Sequence, residues 1–158
     1  MKIIWKKIDI PKEVKIKNIL DNLKKKFILS HWIENIYLNK KNKIEILCGK
    51  FNFYRITVSE LGFKGPTELQ NIYNELKNHK FTTVPPYLAL HLRFYYNEQK
   101  KGEWLRIATP LHALYDTDGI PHLPKLGQGL DKLFLETYWA YPKAIFHPHN
   151  DFVVIDDL

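Results

Sequence analysis

The sequence predicts an α+β fold: one domain over residues 1–158, in which an antiparallel sheet, a meander plus a hairpin, packs with two to three helices. Three observations carry that expectation. The 158 residues, 45% of them hydrophobic, suffice to bury one sizeable core without disulfides or a structural metal, and the 14% aromatic content excludes a disordered chain. Ile16, Ile19, Leu20, Leu23 and Phe27 recur at helical spacing. Residues 88–96 and 103–109 alternate as paired strands do, joined by a polar turn that ends in Gly102.

Taken in order, residues 2–9, rich in Ile, read as the first strand. Pro11 suits the opening turn of a first helix, whose Lys15, Lys17, Lys24, Lys25 and Lys26 fall mostly opposite the apolar stripe. Residues 32–38, 44–48 and 51–58 read as three antiparallel strands, separated by Lys40-Lys41-Asn42-Lys43 and by Gly49-Lys50. Thr67-x-x-Gln70 is a capping-box pattern that opens a second helix, with Leu69, Ile72, Tyr73 and Leu76, running to about Lys80. Pro85-Pro86 breaks the chain before the hairpin. Residues 110–129, with three prolines and three glycines, read as a long loop of the kind that often carries function. A third helix is expected from Leu130 to about Ala140, with Leu133, Phe134 and Tyr138 on one face, and residues 152–155 read as a short buried strand. Neither an internal repeat nor a low-complexity segment interrupts the chain.

No apolar run approaches the ~18 residues of a membrane-spanning helix, and the first residues lack the apolar stretch and small-residue site of a signal peptide. A cytoplasmic protein without a membrane partner is expected. Cys48 is the single cysteine, so a disulfide framework and Cys-based zinc fingers are excluded. Its apolar neighbours Ile44, Ile46 and Leu47 make it a small buried hydrophobe. Serine hydrolysis is not indicated, because Ser30 and Ser59 are the only serines and neither lies in a nucleophile-elbow pattern.

The net charge of +7 is uneven: residues 1–60 hold 14 Lys and Arg against 6 Asp and Glu, whereas residues 61–158 hold 10 against 11. Such asymmetry points to an anionic partner, either nucleic acid or an acidic protein surface. The competing account is a solvated lysine surface reflecting an A/T-rich codon bias. Against 21 lysines, the three arginines Arg55, Arg93 and Arg106 stand out as positions where the planar fork of the guanidinium is needed.

Pairing Phe94 with Leu105 in the expected hairpin sends His91, Arg93 and Tyr95 to the face that carries Trp104 and Arg106. These five residues form the candidate anion-binding site, since like charges directly opposite would be relieved by a bound anion. The leading expectation is therefore a non-enzymatic binding or accessory protein.

The alternative is a metal-dependent, hydrolase-like enzyme. His147, His149 and Asp151 alternate in an extended segment and are proper ligands for zinc, iron or manganese. The spelling resembles five residues of the metallo-β-lactamase metal motif, but Phe152 stands where that pattern has a further His, and the family is set aside. His112, Asp116, Asp118 and His122 would add acid–base groups or ligands from the loop. No cofactor is otherwise implied. Asp116-Thr117-Asp118-Gly119 lacks the remaining ligands of a calcium loop, and Gly127-Gln128-Gly129 is neither a Walker loop nor a dinucleotide fingerprint.

Overall fold

The computed structural model describes residues 2–157. Its first strand is β1 (Lys6–Ile10), followed by helix α1 (Ile16–Lys26), β2 (Ile28–Leu29), α2 (His31–Leu38) and β3 (Gly49–Thr57). Then come β4 (Thr67–Glu68), α3 (Leu69–Leu76), β5 (Phe81–Thr82), α4 (Pro86–Tyr95) and β6 (Trp104–Ile107). The chain closes with β7 (His122–Gly129), β8 (Lys132–Trp139), β9 (Ile145–Phe146) and β10 (Asp151–Asp156). Eight strands make one sheet, in the order β1-β3-β10-β6-β7-β8-β2, with β5 also on β10; β4 and β9 form a separate pair. The sheet is mixed, because β10 runs parallel to β6 and β2 runs parallel to β8. The expected meander plus hairpin is thus replaced by a curled mixed sheet with four helices.

Both sheet faces are packed. Ile8, Ile10, Phe53, Leu105, Ile107, Leu126, Leu135 and Val153 meet Leu20 and Leu23 of α1, Ile33 and Ile36 of α2, and Leu88 and Leu92 of α4 in one core. On the opposite face Tyr54, Ile56, Val58, Ala108, Leu123, Phe152 and Val154 meet Leu69, Ile72 and Leu76 of α3. No helix among the described residues is long and apolar enough to cross a membrane.

Several expectations change, each for a physical reason. Residues 88–96 are not a strand but most of α4, with Pro85 and Pro86 placed where a helix start tolerates proline. Tyr87 to Leu90, Leu92 and Arg93 are all buried, so only a narrow face with His91, Phe94 and Tyr95 meets solvent and the amphipathic period is weak. Residues 32–38 fall within α2, whose Ser30 hydroxyl accepts the Trp32 N–H as an N-cap and whose buried Ile33, Ile36 and Tyr37 have helical spacing. Residues 44–48 form no strand, and Cys48 is exposed rather than buried.

The third helix expected over 130–140 is β8. It pairs with β7 from Gly129↔Lys132 to His122↔Trp139, so the second half of the expected loop is a strand. Leu130 and Asp131 make the two-residue turn at φ 51° and 59°, with neither of the usual Asn-Gly signals to announce it. At the start of α3 the Thr67 hydroxyl donates to the Gly65 carbonyl instead of capping. The Leu69 and Gln70 N–H groups go to Ala144 and Pro142 carbonyls.

Candidate functional site

Helix α3 covers only part of its sheet face. Where β6, β7 and β8 run together, register sets Trp104 beside Gly127 and Phe134, and Arg106 beside Lys125 and Glu136; Tyr138 follows beside Leu123. These residues form a partly exposed strip of alternating rings and charges. The indole of Trp104 lies flat on Gly127: a Cβ there would come within 3.0 Å of Cζ3, Cε3 and Cη2 of the ring. Gly127 is therefore the floor that lets the indole lie down, and Trp104 keeps 36% of its surface exposed.

Arg106 sits beyond that ring, with its guanidinium carbon 5.4 Å from the Tyr138 ring centre and 5.1 Å from that of Phe146. Its Nε is buried and has no hydrogen-bond partner. Asp151, the nearest carboxylate to influence it, is instead held by Arg55, whose Nε donates to it at 2.9 Å. Burial pushes the Arg106 guanidinium below its ordinary pKa, as expected for a cation stripped of water without a partner. Lys125, 5.0 Å above Trp104 and 5.5 Å above Tyr138, is also lowered by burial, with Glu136 opposing and Arg106 reinforcing the shift. Two neighbouring cations thus lie between ring faces, Lys125 with Glu136 as its acidic neighbour and Arg106 with Asp151, which Arg55 already holds.

At the β7–β8 turn, on the α1 side of the sheet, lies a cavity of about 430 Å³ whose lining includes Lys24, Lys25, Lys26, Lys132 and Asp131 together with apolar Phe27 and Leu133. The three α1 lysines also answer the negative end of their helix dipole.

Of the five residues expected on one face, Trp104 and Arg106 share it, whereas His91, Arg93 and Tyr95 lie on α4, on the other side of the sheet. The expected Arg93–Arg106 pairing is replaced because residue 93 is helical. Arg93 is fully buried, and Nη1 donates to Gln99 Oε1 at 2.9 Å, to the Phe134 carbonyl at 2.9 Å and to the Gly127 carbonyl at 3.2 Å. Its Nη2 donates to the Tyr96 carbonyl, so the fork ties α4 to the β7–β8 hairpin. His91 packs on Tyr87 with its Nε2 unpartnered, and the Tyr95 hydroxyl donates to the Asp9 carbonyl at 3.2 Å.

The metal cluster does not assemble. His147 and His149 are exposed and stack on each other at 6.0 Å, while Asp151 turns inward to Arg55. No group of three His, Cys, Asp or Glu side chains among the described residues converges as metal ligands would.

Sequence reasoning missed Lys125, Phe134, Glu136 and Tyr138 as parts of the strip, because it placed them in a loop and a helix. Their signal was the alternation from Leu123 to Gly129, masked by Pro124. Pairing with β6 stops at Lys125, so β6 asks no backbone donor of Pro124. Compared with family models, with curated proteins and with solved structures, the chain finds no match.

Proposed function

We propose that this protein is a binding module for single-stranded nucleic acid, which lies across the uncovered strip of β6, β7 and β8. The observation that carries this reading is Arg106, a half-buried guanidinium without a hydrogen-bond partner, set between aromatic rings beside a second desolvated cation. Burying a cation without a partner is costly, and a phosphate group supplies the missing acceptors in the geometry that a guanidinium fork matches. Trp104, Phe134 and Tyr138 offer faces on which bases stack irrespective of sequence.

Single strands fit better than duplex, because stacking needs unpaired bases and the strip is a flat sheet rather than a helix shaped for a groove. Anisotropy of a labelled single strand of about 12 nucleotides tests this. With Arg106, Lys125 and Lys132 on three phosphates, affinity should fall about 20-fold from roughly 50 to 200 mM salt. Gln at position 106 or 125 should each flatten the log–log salt slope by about 0.7. An affinity indifferent to salt, or tighter binding of an acidic peptide than of the oligonucleotide, would overturn the proposal.

A further inference from the structure

A second constellation lies at the other end of the β7–β8 hairpin, on the opposite sheet face. Asp116 and His122 are both buried, and His122 Nε2 is 2.8 Å from Asp116 Oδ2. Asp116 Oδ1 accepts the N–H groups of Asp118 at 2.8 Å and of Ile120 at 3.0 Å. Burial by itself would raise this carboxyl, but the His122 bond and those two N–H groups outweigh it and hold Asp116 below the ordinary carboxylate value. Ionised Asp116 only accepts, so the shared proton sits on His122 Nε2 and leaves Nδ1 as the basic nitrogen. That nitrogen is 2.9 Å from the hydroxyl of Thr137. Trp32 stacks on the imidazole at 5.4 Å and shields it from water.

Thr137 is one wall of a cavity of about 400 Å³, whose other walls are Trp32, Tyr138, Trp139, Tyr141 and Ala144. Its backbone points the same way. Gln128 directs its N–H and carbonyl to the β6 side, exchanging with Glu103 and Gly102, so residues 123, 125, 127 and 129 bond to β8. By the same alternation Leu135 and Thr137 bond outward, as the Ser30 N–H on the Leu135 carbonyl confirms. Pairing with β2 ends at Leu135, which leaves the Thr137 N–H on the open edge of β8.

We propose that Asp116, His122 and Thr137 form a nucleophilic relay for acyl transfer from small apolar carboxylic esters, with Thr137 Oγ1 as the attacking atom. The Thr137 Oγ1 proton passes to His122 Nδ1 as the oxygen bonds to the acyl carbon. The oxyanion is met by the outward N–H of Thr137. The bond from the acyl carbon to the leaving oxygen then breaks, and that oxygen takes the proton from Nδ1. Water, deprotonated by the same nitrogen, attacks the acyl-threonine, releases the acid and restores the hydroxyl. Asp116 is a positioning residue that fixes the tautomer. The aromatic walls select the apolar acyl or alcohol group and exclude charged ones. This site lies on the other sheet face from the nucleic-acid strip and shares no cation with it, although Tyr138 borders both.

The test treats the full chain with an alkyne-tagged β-lactone and maps adducts by mass spectrometry. Lysine adducts are amides and resist hydroxylamine; a thioester on the exposed Cys48 would be released like an ester on Thr137, so the labelling is done in a Cys48→Ala chain. The expected result is one hydroxylamine-labile adduct, at Thr137. Asp116→Asn presents an amide N–H to Nε2, which moves the ring proton to Nδ1 and removes the base without changing shape. It should slow labelling by about 100-fold or more while circular dichroism stays native. Asp116→Glu should recover part of that rate. Thr137 unmodified in the Cys48→Ala chain, or labelled equally in its folded Asp116→Asn variant, would overturn the proposal.

Discussion

The flat seat of Trp104 on Gly127 gives the structure its sharpest energetic test. Replacing Gly127 by Ala puts a methyl group inside the indole, so the ring must lift from the sheet. Trp104 is 36% exposed, leaving about two-thirds of a side chain of roughly 200 Å² buried. At ~25 cal/mol per Å² that contact is worth at most about 3 kcal/mol. Partial re-seating should bring the loss to about 1–2 kcal/mol, in the usual range for overpacking. Without the indole the sign reverses. In a Trp104→Ala background the ring atoms that close over residue 127 are gone, and Gly→Ala in a strand interior should stabilise by about 0.5–1 kcal/mol.

A double-mutant cycle measured by urea unfolding should therefore give a coupling of about 1.5–3 kcal/mol between positions 104 and 127. Oligonucleotide binding should fall as far with Gly127→Ala as with Trp104→Ala, by about 1–3 kcal/mol, since both remove the stacking platform. Equal effects of Gly127→Ala in the two backgrounds would refute the reasoning, because the ring would then not be resting on that glycine. So would a folded Gly127→Ala protein that binds the oligonucleotide normally.

Two further outcomes follow from the charges. Arg106→Met should leave the free protein as stable or up to about 1 kcal/mol more stable in urea, since it removes a half-buried cation that has no partner, yet it should weaken oligonucleotide binding; a clear destabilisation would show that Arg106 is scaffold. Asp116 titrates in the fold below its ordinary 3.8, so its contribution is complete above that pH and is lost as the pH falls through the lower, folded-state value. Melting temperatures followed from pH 7 into acid should decline less steeply for Asp116→Asn than for the wild type, the remaining decline coming from groups such as Asp156, which Lys2 and Tyr54 also hold low. Parallel declines would remove Asp116 as the cause.

What the sequence made legible follows burial geometry. Helices α1 and α3 and strands β1, β3 and β10 were readable because their apolar spacing or β-branched runs match their environments. Helix α4 was not, since it is buried on most sides and its polar His91, Arg93 and Tyr95 imitate a period of two. Strand β8 was misread because Leu133, Phe134 and Tyr138 happen to fall at helical spacing, although they belong to both faces of a sheet. Its turn, Leu130-Asp131, carries no residue that prefers positive φ. Once that hairpin was lost, Lys125 and Tyr138 had no route to Arg106, and Thr137 had none to His122. The Asp116 and His122 side chains were recognised as acid–base candidates, but their third partner lies 15 residues beyond His122, across the unrecognised pairing.

The arginines resolve the question that the lysine-rich composition raises. A guanidinium persisting in this chain should be one whose fork is used, and two of the three meet that standard within the fold. Arg55 spans Asp151, Glu103 and the Tyr96 hydroxyl at the sheet edge of the first core. Arg93 spends its two Nη groups on three carbonyls and Gln99, a set that no ammonium could reach from one position, while its buried Nε, like that of Arg106, has no partner. Arg106 alone has the same chemistry and no acceptor, though Lys at that position could snorkel clear of Tyr138 and Phe146 and retain its hydration. A fork held between two rings with its Nε unpartnered is poor scaffold but suits a doubly accepting phosphate arriving from solvent, with a base to stack beside it on Trp104. On the reading proposed above, Arg106 with its unmet Nε, rather than the net charge of +7, is the part of this sequence that meets the partner.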